Sequence, residues 1–209
     1  FDDMISVHEC GSCMVLQMHS SKNFTNPINL TFLKHFNAAL DYIEKIKGLH
    51  TLLITGKSPK YFSVGLDLKE IKKDFKNAIL FVAGLTKLMK RLLTFGCATV
   101  SCINGHCYAG GAFISLACDY RLMKNKCGNI CLTEMKINMN LPAGLATIVT
   151  TKLPKKTARD AALLSKVYNT DDALKGKWID MIIYCNDLNE FLQKCVAFGD
   201  KLAYISHNK

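Results

Sequence analysis

The sequence predicts an α/β protein built as one domain, and three observations carry that reading. Short apolar runs with strand character alternate with helix-period segments along the 209 residues. The run Ala98-Thr99-Val100-Ser101-Cys102-Ile103 has β-branched residues and leads through a glycine turn into an apolar helix start. No internal repeat, low-complexity tract or long linker interrupts the alternation.

Taken in order, residues 4–9 and 14–19 read as a hairpin turned at Cys10-Gly11-Ser12. Residues 30–47 read as a helix, because Leu33, Phe36, Leu40 and Ile43 recur at three- and four-residue steps and Gly48 stops them. Residues 51–55 form a short buried strand, and 57–65 a loop. A helix starts at Leu68, with Asp67 and Glu70 placed as N-cap and N3 partner. Residues 79–95 are helical, 98–103 a central strand and 112–117 a buried helix. Strands follow at 119–124 and 129–133, the second delivering Glu134. Helices are expected at 143–153 and 157–164, a helical turn at 171–176, a strand at 178–184 and a last helix at 188–205.

Composition narrows the function classes. With 49% hydrophobic and 21% charged residues, the chain can bury one sizeable core. No window reaches the roughly 18 continuous apolar residues of a membrane span. The start, Phe1-Asp2-Asp3-Met4, resembles neither a signal nor a transit peptide, and it suits a processed or truncated chain. Of the ten cysteines, Cys97, Cys102, Cys107 and Cys118 lie within or beside apolar segments. That placement points to reduced, buried thiols in an intracellular compartment, and no Cys/His spacing completes a zinc site. The net charge of +10 points to an anionic partner. Lys57, Lys60, Lys69, Lys72, Lys73 and Lys76 form one group and Lys152, Lys155 and Lys156 another. No aromatics interleave with them as nucleic-acid binding would want, whereas a small polyphosphate ligand needs only a few. Singly, most of these lysines read as a solvated face.

The chemistry concentrates at Asn104-Gly105-His106-Cys107-Tyr108-Ala109-Gly110-Gly111-Ala112-Phe113. A strand passing through glycines into a helix start aims free N–H groups and the positive end of a helix dipole at whatever lies in front. Such a turn can hold a phosphate, or an oxygen that becomes negative during a reaction. Phe62-Ser63-Val64-Gly65-Leu66-Asp67-Leu68 repeats the pattern and makes Leu66 a second candidate donor. On spacing alone, glycines that only permit tight turns explain both segments better. No G-x-x-x-x-G-K-[ST] run is present, which excludes a P-loop. Glu134, by itself, reads as a surface carboxylate beside Lys136. His106 has no Ser or Cys nucleophile to serve and reads as a packing or solvent-facing residue, and Asp119 as a structural one.

These segments together resemble the crotonase family, the enoyl-CoA hydratase/isomerase superfamily. Phe62 to Leu68 and Asn104-Gly…Ala109-Gly-Gly…Cys118-Asp-Tyr-Arg121 are similar to its two signature segments. The likeness continues through Thr133-Glu134…Leu141-Pro142 and Ala173-Leu…Gly176-Lys-Trp-Ile-Asp180. It implies a ββα spiral over about 1–185, followed by a shortened C-terminal helical region over about 186–209. The pattern resembles Δ3,Δ2-enoyl-CoA isomerases more than hydratases, which carry a glutamate where this chain has Phe113. Adding water to a double bond suits two carboxylates, whereas moving the bond needs a single base.

The resemblance further implies Glu134 as that base and the N–H groups of Leu66 and Gly110 as the oxyanion hole. Phe113 is then expected to line the acyl pocket, with Ser63 and Gly65 beside the substrate and Lys57, Lys60 and Lys69 near the CoA phosphates. No cofactor is implied beyond the CoA of the substrate, and no metal or nucleic acid. A homotrimer or higher oligomer is expected, in a mitochondrion or, alternatively, a peroxisome. The early stop at Lys209 and the unusual Lys177-Trp178 keep two other readings open. One is a crotonase-fold subunit with a structural role in a larger assembly, and the other is a hydratase.

Overall fold

The computed structural model describes residues 4–19, 24–48, 50–71 and 75–207. β1 (Ile5–Cys10) and β2 (Cys13–Met18) form the expected hairpin, and β3 (Pro27–Ile28) precedes α1 (Leu30–Glu44). β4 (Thr51–Gly56) is followed by β5 (Tyr61–Ser63), β6 (Gly65–Leu66), α2 (Leu68–Ile71) and α3 (Phe75–Leu93). Next come β7 (Thr99–Ile103), β8 (His106–Tyr108), α4 (Gly110–Ala117), β9 (Tyr120–Lys124) and β10 (Asn129–Cys131). A 3-10 turn at Glu134–Ile137 leads to α5 (Ala143–Lys152), α6 (Lys155–Leu164) and β11 (Tyr168–Asn169). The chain closes with α7 (Thr170–Lys175), β12 (Met181–Ile183) and α8 (Leu188–His207).

The strands sort into a six-stranded sheet, β1-β2-β4-β7-β9-β12, a four-stranded sheet, β11-β10-β8-β5, and the pair β3-β6. The six-stranded sheet is parallel from β2 onward. Each of β4, β7 and β9 is followed by a strand of the smaller sheet and then by helix, so the ββα unit repeats along the chain.

Both faces of the main sheet are covered, because side chains alternate along each strand. Met14, Leu16, Leu52 and Ile54 enter the larger core with Phe32, Phe36 and Leu40 of α1 and Leu85, Leu88 and Met89 of α3. Their neighbours Cys13, Val15 and Leu53 face the other way, where Phe191 and Cys195 of α8 cover them. Trp178, the single tryptophan, is fully buried after α7, with its ring centroid 5.7 Å from that of Tyr168.

The helices form where the spacing predicts them, with shifted ends. α1 stops at Glu44 rather than residue 47, as the Lys45 and Ile46 N–H groups fold back onto Tyr42 and Ile43. Asp67 caps α2 by accepting the Lys69 N–H at 3.1 Å. Three expectations need correction. The loop at 57–65 contains β5 and runs into β6, and the glycine turn after Ile103 contains β8. The strand expected at 178–184 shrinks to β12, because the N–H groups of Trp178 and Ile179 bond to Ala173 and finish α7 instead. All ten cysteines are free thiols, and none is exposed. No helix among the described residues is long and apolar enough to cross a membrane, and none of their His, Cys, Asp and Glu side chains group as metal ligands would.

Candidate functional site

Three adjacent strands of the smaller sheet bring the candidate residues to one edge. β5 runs parallel to β8, with Ser63 opposite Cys107, and β8 parallel to β10, with Tyr108 opposite Cys131. Parallel strands end on the same side, so Gly65-Leu66, Gly110 and Glu134 leave the sheet together. The C-terminal edge of a parallel sheet is where ligands of open α/β proteins gather. The Ala109 N–H donates to Cys131 O at 3.0 Å, which ties the start of α4 to the strand that delivers Glu134.

The two glycine segments meet backbone to backbone. A Cβ added at Gly65 would lie 2.8 Å from Gly110 N and 2.6 Å from the Ala109 Cβ. One added at Gly110 would lie 3.8 Å from Leu66 N. Gly65 has φ +82, a conformation that glycine adopts without strain. Gly110 is the first residue of α4, where an N–H has no intrahelical acceptor. On the other side, the Asp67 N–H donates to Ile28 O on β3 at 2.9 Å. Strand alternation therefore turns the Leu66 N–H away from β3. Ala109, which leads into α4, is held at φ 46, ψ −118, a region that L residues rarely occupy.

Glu134 opens the 3-10 turn and is only 6% exposed, although it is charged in water at neutral pH. Its Oε2 is buried without a hydrogen-bond partner. Burial pushes its pKa above the usual carboxylate range, and nearby backbone N–H groups of Glu134 and Thr133 offset part of that push. The turn is closed by Asn138 in the left-handed region, with the Met139 N–H on Glu134 O at 2.9 Å.

The remaining candidates occupy different surroundings. Ser63 is fully buried, and its hydroxyl donates to Asn26 O at 2.7 Å and accepts the Gly65 N–H at 3.1 Å. These two bonds brace the Gly65 turn. Phe113 is also fully buried and packs in the larger core. Lys57, Lys60 and Lys69 are exposed. The Lys60 Nζ sits 5.5 Å from the Tyr61 ring centroid. Lys72 and Lys73 lie outside the described residues, as does the Lys76 side chain.

His106 lies between Tyr61 and Tyr108, with ring centroids 5.5 and 5.3 Å away. Its Nδ1 accepts the Asn129 N–H at 3.1 Å and lies 2.7 Å from the Tyr108 hydroxyl. Burial and then Lys60 lower its pKa, which favours the neutral ring. Asp119 accepts the Thr99 N–H and hydroxyl, both at 2.8 Å, and so ties the start of β9 to β7.

The sequence assigned no role to two buried amides, one of which, Asn104, opens the glycine segment. Asn26 and Asn104 are 2% and 1% exposed, and both flank Gly56 at the end of β4. Neither follows a spacing pattern; only the Asn-Gly pair at 104–105 carried a local signal. The expectation that the chain has no C-x-x-C pair needs correction, because Cys10-Gly11-Ser12-Cys13 is one. Its cysteines face each other across the hairpin end, and Cys13 points its thiol at Val196 O and Asp200. Burial and Asp200 raise the Cys13 pKa to about 12, so it remains a protonated thiol.

Residues 9–208 match the family described as enoyl-CoA hydratase/isomerase. Enoyl-CoA delta isomerase 1, mitochondrial, of Rattus norvegicus is 27% identical over 181 residues, which is 86% of this chain and 63% of that protein. The chain spans 55% and 53% of the mouse and human proteins of the same name. Among solved structures, the apo enoyl-CoA isomerase of Mycobacterium tuberculosis superposes with a TM-score of 0.86 at 26% identity, covering 97% of this chain and 85% of that one. An enoyl-CoA hydratase of Mycobacterium ulcerans gives a TM-score of 0.85 at 25% identity, covering 95% and 84%. The repeated ββα unit is thus the crotonase fold, and the chain belongs to the enoyl-CoA hydratase/isomerase family.

Proposed function

We propose that the chain carries the active site of a Δ3,Δ2-enoyl-CoA isomerase. The observation that carries this reading is a buried carboxylate, Glu134, at the edge where Leu66 and Gly110 present backbone N–H groups. The helix turn after Gly110 supplies Phe113 and no second carboxylate. Relatives named as isomerases and as hydratases both match the chain, so the choice rests on the site.

In the proposed reaction, the Leu66 and Gly110 N–H groups bind the thioester oxygen of a 3-enoyl-CoA. The Glu134 carboxylate removes a proton from C2, and the electrons of that C–H bond spread into the carbonyl and the C3–C4 double bond. The thioester oxygen takes up the negative charge, where two fixed donors stabilise it most strongly. Glu134 then returns the proton at C4. The C2–C3 double bond forms, the carbonyl is restored, and the carboxylate is ready again. Atoms and charge balance with no cofactor. The raised pKa of Glu134 serves the first step, since it makes the carboxylate a stronger base toward the C2 proton. Exposed Lys57, Lys60 and Lys69 are proposed to meet the CoA phosphates.

We further propose a mitochondrial location, which the rat relative's name supports, with a peroxisomal one, as in the name of an Arabidopsis thaliana relative, as the alternative, and a homotrimer or higher oligomer that light scattering would read. The deciding experiment is 3-enoyl-CoA isomerisation by native protein and Glu134→Gln. Turnover in the native protein and its loss in the variant support the reading. Equal rates in both overturn the role of Glu134, and inactivity of both, with stable incorporation in a larger assembly, points to a structural subunit.

A further inference from the structure

We propose that Asn26 is a positioning residue for the Leu66 N–H, its side-chain amide acting through Phe62 and its backbone carbonyl through Ser63; this rests on the isomerase reading of the site. Asn26 sits just before β3, the strand that pairs Pro27 with Gly65 and Ile28 with Leu66. Its Nδ2 donates to Phe62 O at 2.9 Å, and its backbone O accepts the Ser63 hydroxyl at 2.7 Å. That hydroxyl in turn accepts the Gly65 N–H at 3.1 Å. One residue therefore grips both Phe62 and Ser63 and, through Ser63, the residue before Leu66.

The neighbouring N–H groups are tied as well. Val64 donates to Thr25 O at 3.0 Å and Asp67 to Ile28 O at 2.9 Å. With the donors of residues 64, 65 and 67 engaged, the backbone at Leu66 has little freedom to rotate. Its N–H is held toward Gly110 rather than toward β3. The far side of the brace is equally tight. A Cβ at Gly56 would lie 3.0 Å from Asn26 Nδ2, 3.0 Å from Asn104 Oδ1 and 2.7 Å from Tyr61 O. Asn104 Oδ1 accepts the Gly56 N–H at 3.0 Å, which anchors the brace to the end of β4.

Asn26 also has the backbone for this place. Its φ of +50 is one that asparagine tolerates and glycine adopts freely. Asn26→Gly thus removes the amide's hold on Phe62 without straining the chain and leaves the backbone bond to Ser63, which Ser63→Ala removes. Asn26→Asp keeps the shape but turns a donor into an acceptor facing the carbonyls of Phe62 and Tyr61.

An enolate oxygen needs its donors in place only as charge develops. Loosening one donor should therefore slow turnover more than it weakens substrate binding, since misplacement by about 1 Å can cost on the order of 100-fold. The test measures kcat, KM and the Kd of hexanoyl-CoA, together with the amide resonance of Leu66 in 15N-labelled protein. For Asn26→Gly the expected result is kcat lower by about 10- to 100-fold, with KM and Kd within about twofold. Asn26→Asp should fall at least as far. In native protein, hexanoyl-CoA should shift the Leu66 amide, and in Asn26→Gly that shift should shrink.

Native kcat in Asn26→Gly, or a parallel loss of kcat and binding, overturns the proposal. So does a Leu66 shift that is the same in the variant as in the native protein. If Asn26→Gly does not fold, Ser63→Ala decides by the same split, and unchanged kcat there overturns the relay. A native Leu66 amide that ignores hexanoyl-CoA removes the isomerase site itself and the inference with it. A native-like shift in the variant removes the inference alone.

Discussion

Burying a carboxylate with one oxygen unpartnered costs free energy, and Glu134 carries that cost in the folded protein. Its pKa is raised on folding, so the native state holds a proton more tightly than the unfolded chain. Stability from this group is therefore greatest below the ordinary carboxylate value of about 4.3 and is lost as pH rises toward the folded pKa. Glu134→Gln should abolish most turnover, by about 100-fold or more. In differential scanning calorimetry at pH 7 the same variant should melt higher than native, with the gain shrinking toward pH 4. The acid limb of kcat/KM should lie above the pH at which a free glutamate titrates. His106 works in the opposite sense. Its pKa is lowered by burial and Lys60, so the unfolded chain takes up the proton first. Its contribution is present above the usual histidine value of about 6.5 and fades as pH falls below it. Urea unfolding at pH 5 and 7.5 should show a smaller acid loss in His106→Gln than in the native protein.

At the scale of elements, α4 has little slack. Gly110 through Ala117 are all buried, and Phe113 sits wholly in the core. Phe113→Glu would place an unpaired carboxylate there, at a cost of about 3–5 kcal/mol. Lower stability by urea unfolding and no gain of hydratase activity are the expected outcome. The elements that the sequence revealed are those with a period of their own. α1 was legible from Leu33, Phe36, Leu40 and Ile43, and all four are buried. β4 and β7 were legible as apolar runs, buried throughout. β3, β5, β6, β8 and β11 were not, because two or three residues leave little room for a pattern; β10 and β12, equally short, were legible only because they fall within longer apolar stretches. They exist by virtue of their partners, as His106 and Cys107 do opposite Tyr61 and Ser63. The candidate site divides the same way. Gly65 and Gly110 stood out by composition, whereas Glu134 stood out only through the family motif around it. Asn26 has neither, and its meaning lies in contacts 36 and 37 residues away in sequence.

The whole molecule places its reactive sulfur out of reach. Seven of the ten cysteines are buried and three are partly so. Burial raises Cys13, Cys118 and Cys127 to about 12, and Cys97 to about 11. Thiolate is the reactive form, so these groups should be slow toward a disulfide reagent at pH 8. The expected titration is a slow, partial reaction in the native state and all ten thiols in guanidinium. Fast release of ten thiols without denaturant would contradict the packing. The net charge of +10 acts on the same scale, favouring anionic partners over cationic ones.

Trp178 supplies a means of watching all of this. It is the one indole in the chain, wholly enclosed, and it rests against Tyr168 where α7 hands over to β12. Its fluorescence should be blue-shifted in the native protein and move red in a single step on unfolding. The folded fraction of every variant described above can then be read from emission alone, without a label. A native spectrum already at the wavelength of free tryptophan would show that this junction is open to water.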